Sequence, residues 1–376
     1  ALLALRLLHV RAASSAPPGD CHHVYPHAGG RCFDVRDCGA VGDGITNDQD
    51  AVRTCARRLA DAGGGVLWFG RGAGGDDVPG GTFLTGSFAL PSHAVLHVAA
   101  GVQVLGSPEP KDYPLLPAIE TWGGSYYCEK GYYGGNYFRL NGSRHASLVR
   151  VSRAKNVTLT GPGEINGNGL RWWNLCHDRG LGADRPHMVQ IDESSDILIS
   201  GGLVLNHTPS WNLHILLSSR VVIRDVFLLN PRTPMKATCN TDGLDIDSCR
   251  DVHVFNITVA VNDDVVAVKS GMAFDPLVDR GRVNRAGWLK RRPCENILIE
   301  NSTFLRGGAL TIGSEMSGGV RNVTFRNIVV QNLHFGAFIK TRRGRGSHPV
   351  EDILYENITM RDVGKPVHIN MWYFCD

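Results

Sequence analysis

The sequence predicts an all-β protein: a single-stranded right-handed parallel β-helix closed at its N-terminal end by a short capping helix. The first observation is a repeat. From about residue 150 onwards, a polar turn is followed again and again by a short run of β-forming residues. These runs begin at Lys155, Ser195, Arg220, Arg250, Glu295, Arg321 and Glu351. Successive starts lie about 25 to 45 residues apart with no helical pattern between them, which is typical of stacked β-rungs.

The second observation is the scarcity of hairpin turns. A β-sandwich connects neighbouring strands through hairpins, which need frequent Asn-Gly or Asp-Gly pairs between the runs. Such pairs are few in this sequence. Equivalent strands are therefore expected to stack in parallel and to bury a continuous column of Ile, Val and Leu. Parallel crossovers are almost always right-handed, which sets the predicted hand.

The capping helix is predicted at residues 48–62. The open end of a solenoid is a bare sheet edge, so it needs a cap. Either Asn47 or Asp48 can serve as the N-cap of this segment. Apolar side chains follow at helical spacing, at Ala51, Val52, Cys55 and Leu59. Three glycines at residues 63–65 then stop the helix.

Composition fits one globular unit. The 376 residues are 43% hydrophobic and 20% charged with a net charge of +3, which excludes intrinsic disorder. Residues 21–376 are predicted to form a single β-helix domain and to act as a monomer. Residues 1–20 are interpreted as a clipped signal peptide or a disordered leader. No later stretch reaches 18 uncharged apolar residues, so we expect no membrane partner. A nucleic-acid partner is not expected either.

Cysteines and sequons indicate the secretory route. The 10 cysteines form an even set without a CxxC pair, which argues against zinc and indicates disulfides, with the pairing left open. A secreted protein, extracellular or in the cell wall, is therefore expected. Seven Asn-x-Ser/Thr sequons indicate a glycoprotein. The alternative is that the asparagines are turn residues of the repeat. That alternative applies to Asn156, Asn256, Asn322 and Asn357.

Two acidic phrases lie one rung apart. Asp242 and Asp263 are separated by 21 residues, which is the length of one β-helix rung. The carboxylates of Asp242, Asp263 and Asp264 should therefore lie side by side. Because adjacent residues of a strand point to opposite sides, the backbone must bulge or turn at Asp263 and Asp264. Crowded like charges raise at least one pKa, which places a protonated acid beside ionised bases.

Two other interpretations of these carboxylates compete with catalysis. A lone Asp-Gly or Asp-Asp phrase is most often a solvated turn, but two phrases at one-rung spacing favour a site. A calcium site is the functional rival, with Asn240 and Asn262 as further ligands. Lys269 follows closely and adds positive charge that a calcium site would not want. We therefore predict hydrolytic chemistry with no metal and no cofactor.

Aromatic and basic residues surround the acidic phrases. Trp211 and His214 lie one rung earlier and form either a sugar platform or part of the core. Two basic runs either attract a polyanion or are solvated loops. They comprise Lys290, Arg291 and Arg292, and then Arg342, Arg343 and Arg345.

Five phrases occur in order along the chain. They are Asn240-Thr-Asp-Gly, Asn262-Asp-Asp, Val268-Lys-Ser-Gly, Ile312-Gly-Ser-Glu-Met-Ser-Gly-Gly and Ile339-Lys-Thr-Arg-Arg-Gly-Arg-Gly. Together they resemble the polygalacturonases, the pectin-degrading inverting glycoside hydrolases built on a right-handed β-helix. The resemblance spans roughly residues 33–376. It is closest to the exo-acting or bacterial-type and plant-type branches.

The resemblance implies a role for each matched residue. Asp263 would be the general acid that protonates the glycosidic oxygen, and Asp242 and Asp264 would hold and activate the attacking water. An inverting reaction leaves room for that water, which implies carboxyl separations of ~6.5 to 9.5 Å. Lys340 would bind a galacturonate carboxylate, and Tyr373 would line the cleft. The predicted substrate-binding set is completed by Asn240, Lys269, Trp211, His214 and Arg343.

Two departures from the family pattern bear on activity. The family's Gly-His-Gly phrase is replaced by Arg-Gly-Gly-Ala at residues 306–309, so its histidine is missing. Phe338 stands where the family has arginine, and phenylalanine cannot form a bidentate pair with a carboxylate.

The predicted function is hydrolysis of α-1,4 bonds between galacturonic acid residues of pectin, so the partner is an acidic polysaccharide. One alternative is a catalytically weak relative that binds acidic cell-wall polysaccharide. Another is the same chemistry on rhamnogalacturonan or xylogalacturonan. The insertion at residues 272–292 favours exo attack or oligosaccharide substrates, and endo attack stays open.

Overall fold

Three columns of stacked strands build the molecule. The computed structural model describes residues 21–25, 31–71, 81–122, 124–128, 136–140, 142–233, 238, 240–273, 292–341 and 348–373. Within each column, every strand pairs in parallel with strands of the neighbouring rungs. The right-handed parallel β-helix predicted from the repeat is confirmed.

Column 1 and column 2 are the two branches of one 17-stranded sheet. Column 1 contains β1 Cys32–Asp34, β3 Gly65–Phe69, β6 Ala94–Val98, β13 Lys155–Thr160, β16 Ser195–Ile199, β19 Ser219–Arg224 and β22 Arg250–Phe255. Column 2 contains β2 Asp43–Asn47, β4 Thr82–Thr85, β7 Gln103–Gly106, β14 Glu164–Asn166, β17 Val204–Asn206, β20 Phe227–Leu229 and β23 Thr258–Ala260. In the last rungs a single long strand runs through both columns, as β25 Cys294–Arg306, β27 Val320–Gln331 and β29 Val350–Arg361.

Column 3 is a separate nine-stranded sheet, and it carries the acidic phrases. Its strands are β5 Phe88–Leu90, β12 Val149–Ser152, β15 Val189–Asp192, β18 Leu213–Leu216, β21 Leu244–Asp247, β24 Val266–Lys269, β26 Leu310–Ile312, β28 Phe335–Lys340 and β30 Lys365–Asn370. Alternate residues such as Leu244 and Ile246 belong to the apolar core. Asp245 and Asp247 therefore lie on the opposite, exterior face of the column.

Two short antiparallel pairs, three α-helices and two 3-10 helices, Val35–Cys38 and Pro110–Asp112, complete the described elements. The pairs are β8 Leu115–Pro117 with β11 Ser143–His145, and β9 Gly124–Cys128 with β10 Asn136–Leu140. The α-helices are α1 Cys21–Val24, α2 Gln49–Asp61 and α3 Gly169–Asn174, which continues into a π-helical turn, Leu175–Arg179. No helix in these described ranges is long and apolar enough to cross a membrane.

The capping helix is confirmed as α2. Its buried face carries Val52, Cys55 and Leu59, which pack on the core. Asp48 holds the N-cap position, yet its carboxylate accepts hydrogen bonds from the backbone amides of Val41 and Gly42 at 2.7 and 3.0 Å. The carboxylate thus ties the cap to the preceding loop.

The disulfide prediction holds for part of the cysteine set. Cys21 pairs with Cys32 and Cys38 with Cys55, and Cys176 is also disulfide-bonded. Cys249 and Cys294 are instead free thiols buried in the core. Cys249 directly precedes β22 and Cys294 begins β25, its neighbour in the column, so their side chains fill the interior like small apolar residues.

The repeated sequons occupy stacked turns. Five sequon asparagines have positive φ angles between 48 and 55°, as the turn-residue interpretation requires. They are Asn156, Asn256, Asn301, Asn322 and Asn357. Glycan attachment stays a prediction, as does the division into a single domain at residues 21–376. The predicted leader at residues 1–20 lies outside the described residues.

Candidate active site

The stacking of β21 on β24 brings the two acidic phrases together. Leu244 lies opposite Val266 in this parallel pair. Asp242 lies two residues before Leu244, and Asp264 lies two residues before Val266, so the two aspartates are neighbours. The Gly243 amide donates a hydrogen bond to the Asp264 carbonyl at 2.9 Å. Both phrases lie in the turns that enter column 3. The 21-residue spacing read from the sequence thus corresponds to one rung.

The three carboxylates form a compact cluster. One carboxylate oxygen from each of Asp242, Asp263 and Asp264 lies within 4.8 Å of the other two. This spacing is shorter than the ~6.5 to 9.5 Å expected from an inverting pair, so that expectation was wrong for the nearest oxygens. The cause is the turn at residues 262–265, which aims adjacent aspartates into one site.

Backbone amides hold Asp263. One of its carboxylate oxygens accepts a hydrogen bond from the Asn240 amide at 2.9 Å, and the other accepts from the Asp264 amide at 2.9 Å. Asp263 is half-buried, whereas Asp242 and Asp264 are each only 4% exposed. Asp263 is therefore the carboxyl group of the three that a ligand reaches most readily.

Lys340 binds the cluster directly. Its Nζ lies 2.7 Å from Oδ2 of Asp264, and both side chains are buried. The same Nζ lies 4.8 Å from the centre of the Tyr373 ring. Lys340 is thus paired within the protein, whereas the family resemblance implied that it binds a galacturonate carboxylate. Tyr373 is half-buried beside it.

A second buried ion network lies next to the first. Lys269 Nζ contacts Oε2 of Glu315 at 2.9 Å and Oδ1 of Asp245 at 3.5 Å. Lys269 is 4% exposed, so it is placed to stabilise neighbouring charges and is enclosed away from a ligand. Sequence reasoning missed Asp245 and Glu315. The alternation Leu-Asp-Ile-Asp at residues 244–247 was the available signal, because it places aspartates on the exterior face of the acidic rung.

Trp211 and His214 are part of a buried aromatic cluster. His214 is 0% exposed and Trp211 5% exposed, which contradicts the sugar-platform interpretation and favours the core alternative. The His187 ring stacks on Trp211 at 4.7 Å. Trp122 covers the cluster and donates through its indole N–H to Asp247 at 2.8 Å. This covering tryptophan comes from a segment that carried no motif.

Of the remaining predicted binding residues, Asn240 lies at the site and Arg343 lies outside the described residues. Asn240 is half-buried, and its side-chain oxygen lies 3.5 Å from a guanidinium nitrogen of the buried Arg185. Its backbone amide is the group that reaches Asp263. Arg343 lies outside the described residues, as do Lys290, Arg291, Arg342 and Arg345.

The electrostatics of the cluster favour protonated carboxyls. Burial and the neighbouring Asp245 raise the pKa of Asp242 well above its ordinary value. Burial likewise raises the pKa of Asp245, against the attraction of Lys269. Burial and Asp264 raise the pKa of Asp263, and Lys340 opposes them. The site therefore holds acid groups beside the lysine-paired Asp264, which suits proton transfer in both directions.

Comparison with known proteins decides the family. Residues 134–376 match the model of glycosyl hydrolases family 28. The chain belongs to this family.

Relatives of this family 28 chain are named as polygalacturonases. A probable polygalacturonase of Vitis vinifera is 32% identical over 331 residues, which cover 86% of this chain and 60% of that protein. An endo-polygalacturonase of Pectobacterium carotovorum is 25% identical over 77% of this chain and 65% of its own length. The chain thus spans about three fifths of the length of the curated relatives it matches.

Solved structures share the fold. The exopolygalacturonase of Thermotoga maritima matches with a TM-score of 0.67 at 26% identity, over 91% of this chain and 76% of that one. The polygalacturonase of Erwinia carotovora matches with a TM-score of 0.65 at 22% identity, over 88% of this chain and 78% of that one. The family resemblance inferred from the motifs is confirmed.

Glycines fill the position of the family's missing histidine. Gly307 has a φ of +155°, and a Cβ there would lie 2.5 Å from Val265 Cγ1. A Cβ on Gly308 would lie 2.8 Å from Oδ1 of Asp264. The backbone of this family 28 chain therefore packs against the acidic turn too closely for a larger residue.

Phe338 forms an aromatic cluster on the C-terminal side of the site. Its ring centre lies 4.5 Å from that of Phe335 and 5.0 Å from that of His368. Lys340 Nζ lies 5.3 Å from the Phe338 ring centre. Rings thus surround the paired lysine where the family pattern has a guanidinium.

Proposed function

We propose that this chain is a glycoside hydrolase that cleaves α-1,4 bonds between galacturonic acid residues of pectin. The observation that carries the proposal is the cluster of three aspartates on consecutive rungs, in which one carboxyl group is accessible and two are enclosed. The family and the names of the relatives support the substrate class. The acidic polysaccharide is therefore the proposed partner, and no cofactor takes part.

Asp263 is the proposed general acid. It is the most accessible of the three carboxyl groups, and burial raises its pKa, which favours the protonated form that an acid needs. The proton passes to the glycosidic oxygen as the bond from that oxygen to the anomeric carbon breaks. The two backbone amides on Asp263 stabilise the carboxylate that remains.

Asp264 and Asp242 are the proposed water-holding groups. Asp264 is paired with the Lys340 ammonium, so it is the carboxylate suited to take a proton from water. Asp242 lies beside it and orients the same water. The oxygen of this water bonds to the anomeric carbon from the face opposite the leaving oxygen, which inverts the configuration.

Accessible polar groups complete the proposed binding site. Asn240 and Tyr373 are half-buried at the carboxylates and are proposed to contact the sugar. The basic loop that contains Arg343 is proposed to attract the polyanion. Secretion to the extracellular space or cell wall is proposed because disulfides tie the N-terminal region.

A reducing-end assay on polygalacturonate tests the function. The Asp263→Asn variant is expected to lose roughly 10²- to 10⁴-fold in kcat, the usual contribution of a general acid. Asp192→Asn is the matched control, because Asp192 lies on the exterior face of column 3 two rungs before Asp247, and it should retain wild-type activity.

Two outcomes would overturn the proposal. A wild-type protein that releases no reducing ends but binds pectin would be the weak relative that the missing histidine and Phe338 suggest. A wild-type protein inactive on polygalacturonate but active on rhamnogalacturonan or xylogalacturonan would have the same chemistry on another backbone, a case favoured by the aromatic cluster around Phe338.

A further inference from the structure

Asp245 is a buried carboxyl group that the proposed mechanism leaves without a role. It lies on the exterior face of β21 with 0% exposure. Within the described part of the chain, neither of its carboxylate oxygens has a hydrogen-bond partner. Burying an ionised carboxylate without hydrogen bonds raises the free energy of the folded state, so a neutral form or a bonding partner is expected for Asp245.

Lys269 forms an ion pair with Asp245 but gives it no hydrogen bond. Lys269 Nζ lies 3.5 Å from Asp245 but only 2.9 Å from Glu315, to which it donates a hydrogen bond. Lys340 is committed to Asp264 at 2.7 Å. Among the described side chains of the site, two ammonium groups thus face five carboxyl groups. At least one carboxyl group is best accommodated as the neutral acid.

Asp242 is the second carboxyl group of the site with a buried oxygen that requires a hydrogen-bond partner. Its Oδ1 is buried and also lacks a hydrogen-bond partner among the described residues. Two ionised carboxylates cannot bond to each other, whereas a protonated carboxyl group donates to an ionised one. Asp242 and Asp245 are three residues apart in the same rung and interact electrostatically, so a shared proton would give both groups a hydrogen-bond partner.

The in-register neighbours of Asp245 on the following rungs are a small residue and a polar one. On the exterior face of column 3, the next rung after Asp245 presents Ala267 and the one after that Thr311. Alanine fills little space, and the hydroxyl of Thr311 is a further buried group that has no hydrogen-bond partner among the described residues. Polar groups around a small enclosed space are the conditions under which proteins hold a buried water.

We propose that Asp245 is a positioning residue, which carries a proton shared with Asp242, directly or through one enclosed water, and so orients the Asp242 carboxylate toward the attacking water. The proposal rests on the proposed function, in which Asp242 holds that water. Asp245 itself touches no substrate.

Several charged groups face Asp245 and set the direction of its effect. They are Lys269 from β24, Glu315 after β26, His214 on β18, and Asp242, Asp263 and Asp264 in the turns before β21 and β24. Burial lowers the pKa of His214, so this neighbour is neutral near pH 7. Because Asp245 raises the pKa of Asp242, removing its carboxyl group lowers that pKa.

Two substitutions separate positioning from structural support. Asp245→Asn keeps the shape and a hydrogen-bond donor, so we expect kcat within about tenfold of wild type and the acidic limb of the pH–rate profile shifted to lower pH. Asp245→Ala loses the donor, and we expect about a 10²-fold loss of kcat with little change in KM. Asp192→Asn should reproduce the wild-type profile. Equal losses in both Asp245 variants without a pH shift would overturn the proposal.

An NMR titration of the wild-type protein tests the shared proton directly. It depends neither on enzymatic turnover nor on the folding of a variant. Carboxyl carbons are followed by NMR as the pH is raised, and one group of the Asp242–Asp245 pair is expected to stay protonated well above the ordinary aspartate value near 4. Ionisation of both groups near pH 4 would refute the shared proton. A wild type inactive on every uronide polymer would refute the proposed function instead, and the titration would still decide about Asp245.

Discussion

Each of the two buried lysines at the site binds a different carboxylate. Lys340 pairs with Asp264, and Lys269 pairs with Glu315. The carboxylates raise the pKa of both lysines although burial acts in the opposite direction, so both are charged. Each lysine thus places a positive charge beside its own carboxyl partner. The chemical differences among the three aspartates therefore come from their partners, since the residues themselves are identical.

Removing the Lys340 charge should destabilise the fold. Lys340→Met leaves the buried Asp264 carboxylate without its cation, and breaking one side of a buried pair costs about 3–5 kcal/mol. The double variant Lys340→Met/Asp264→Asn removes both charges, so it should recover part of that loss. Urea unfolding measures both free energies. Equal stability of the single variant and the wild type would show that the pair contributes nothing.

Stacked asparagines connect the long strands of the last rungs. Asn327 donates through its side-chain amide to Asn301 at 3.3 Å and accepts from Asn357 at 2.8 Å. All three have left-handed backbone angles, which asparagine tolerates better than most residues. The ladder therefore holds successive turns in register between β25, β27 and β29.

Replacing a ladder asparagine by alanine should destabilise the protein more than the same substitution at a strained turn outside the ladder. Asn327→Ala loses two hydrogen bonds and places alanine at a φ of 54°, so we expect about 1–3 kcal/mol of destabilisation. Asn327→Gly should lose less, because glycine adopts this angle freely. Asn332→Ala is the matched control, since Asn332 has a φ of 52° but lies outside the ladder. Identical midpoints for Asn327→Ala and Asn332→Ala in thermal unfolding would contradict the role of the ladder.

Local sequence patterns predict the strands and helices of this fold, but they do not predict which side chains contact each other at the site. The polar turns and alternating runs predicted the strands of column 1, and the glycines after residue 62 marked the end of α2. The burial of His214 was hidden, because spacing assigns a residue to a rung but does not show what covers it. Trp122 covers this rung from a distant segment that carries no repeat.

Across the whole molecule, the coiling of the chain converts sequence distance into contact. Asp242, Asp264 and Lys340 come from three different rungs and meet beside column 3. The spacing of one rung was sufficient to predict the aspartate cluster. The pairing of Lys340 with Asp264 was not predictable, because β26 and its preceding glycines lie between them, and only their close packing lets the lysine reach across.

Proton NMR of the first product of oligogalacturonide hydrolysis tests most directly whether these stacked rungs form an inverting hydrolytic site. The wild type is expected to release a new reducing end as the β-anomer, which then equilibrates with the α-anomer, and Asp263→Asn is expected to release it at least about 10²-fold more slowly. Release of the α-anomer first, or hydrolysis by Asp263→Asn at the wild-type rate, would contradict the assignment of acid and water-holding roles to the three aspartates.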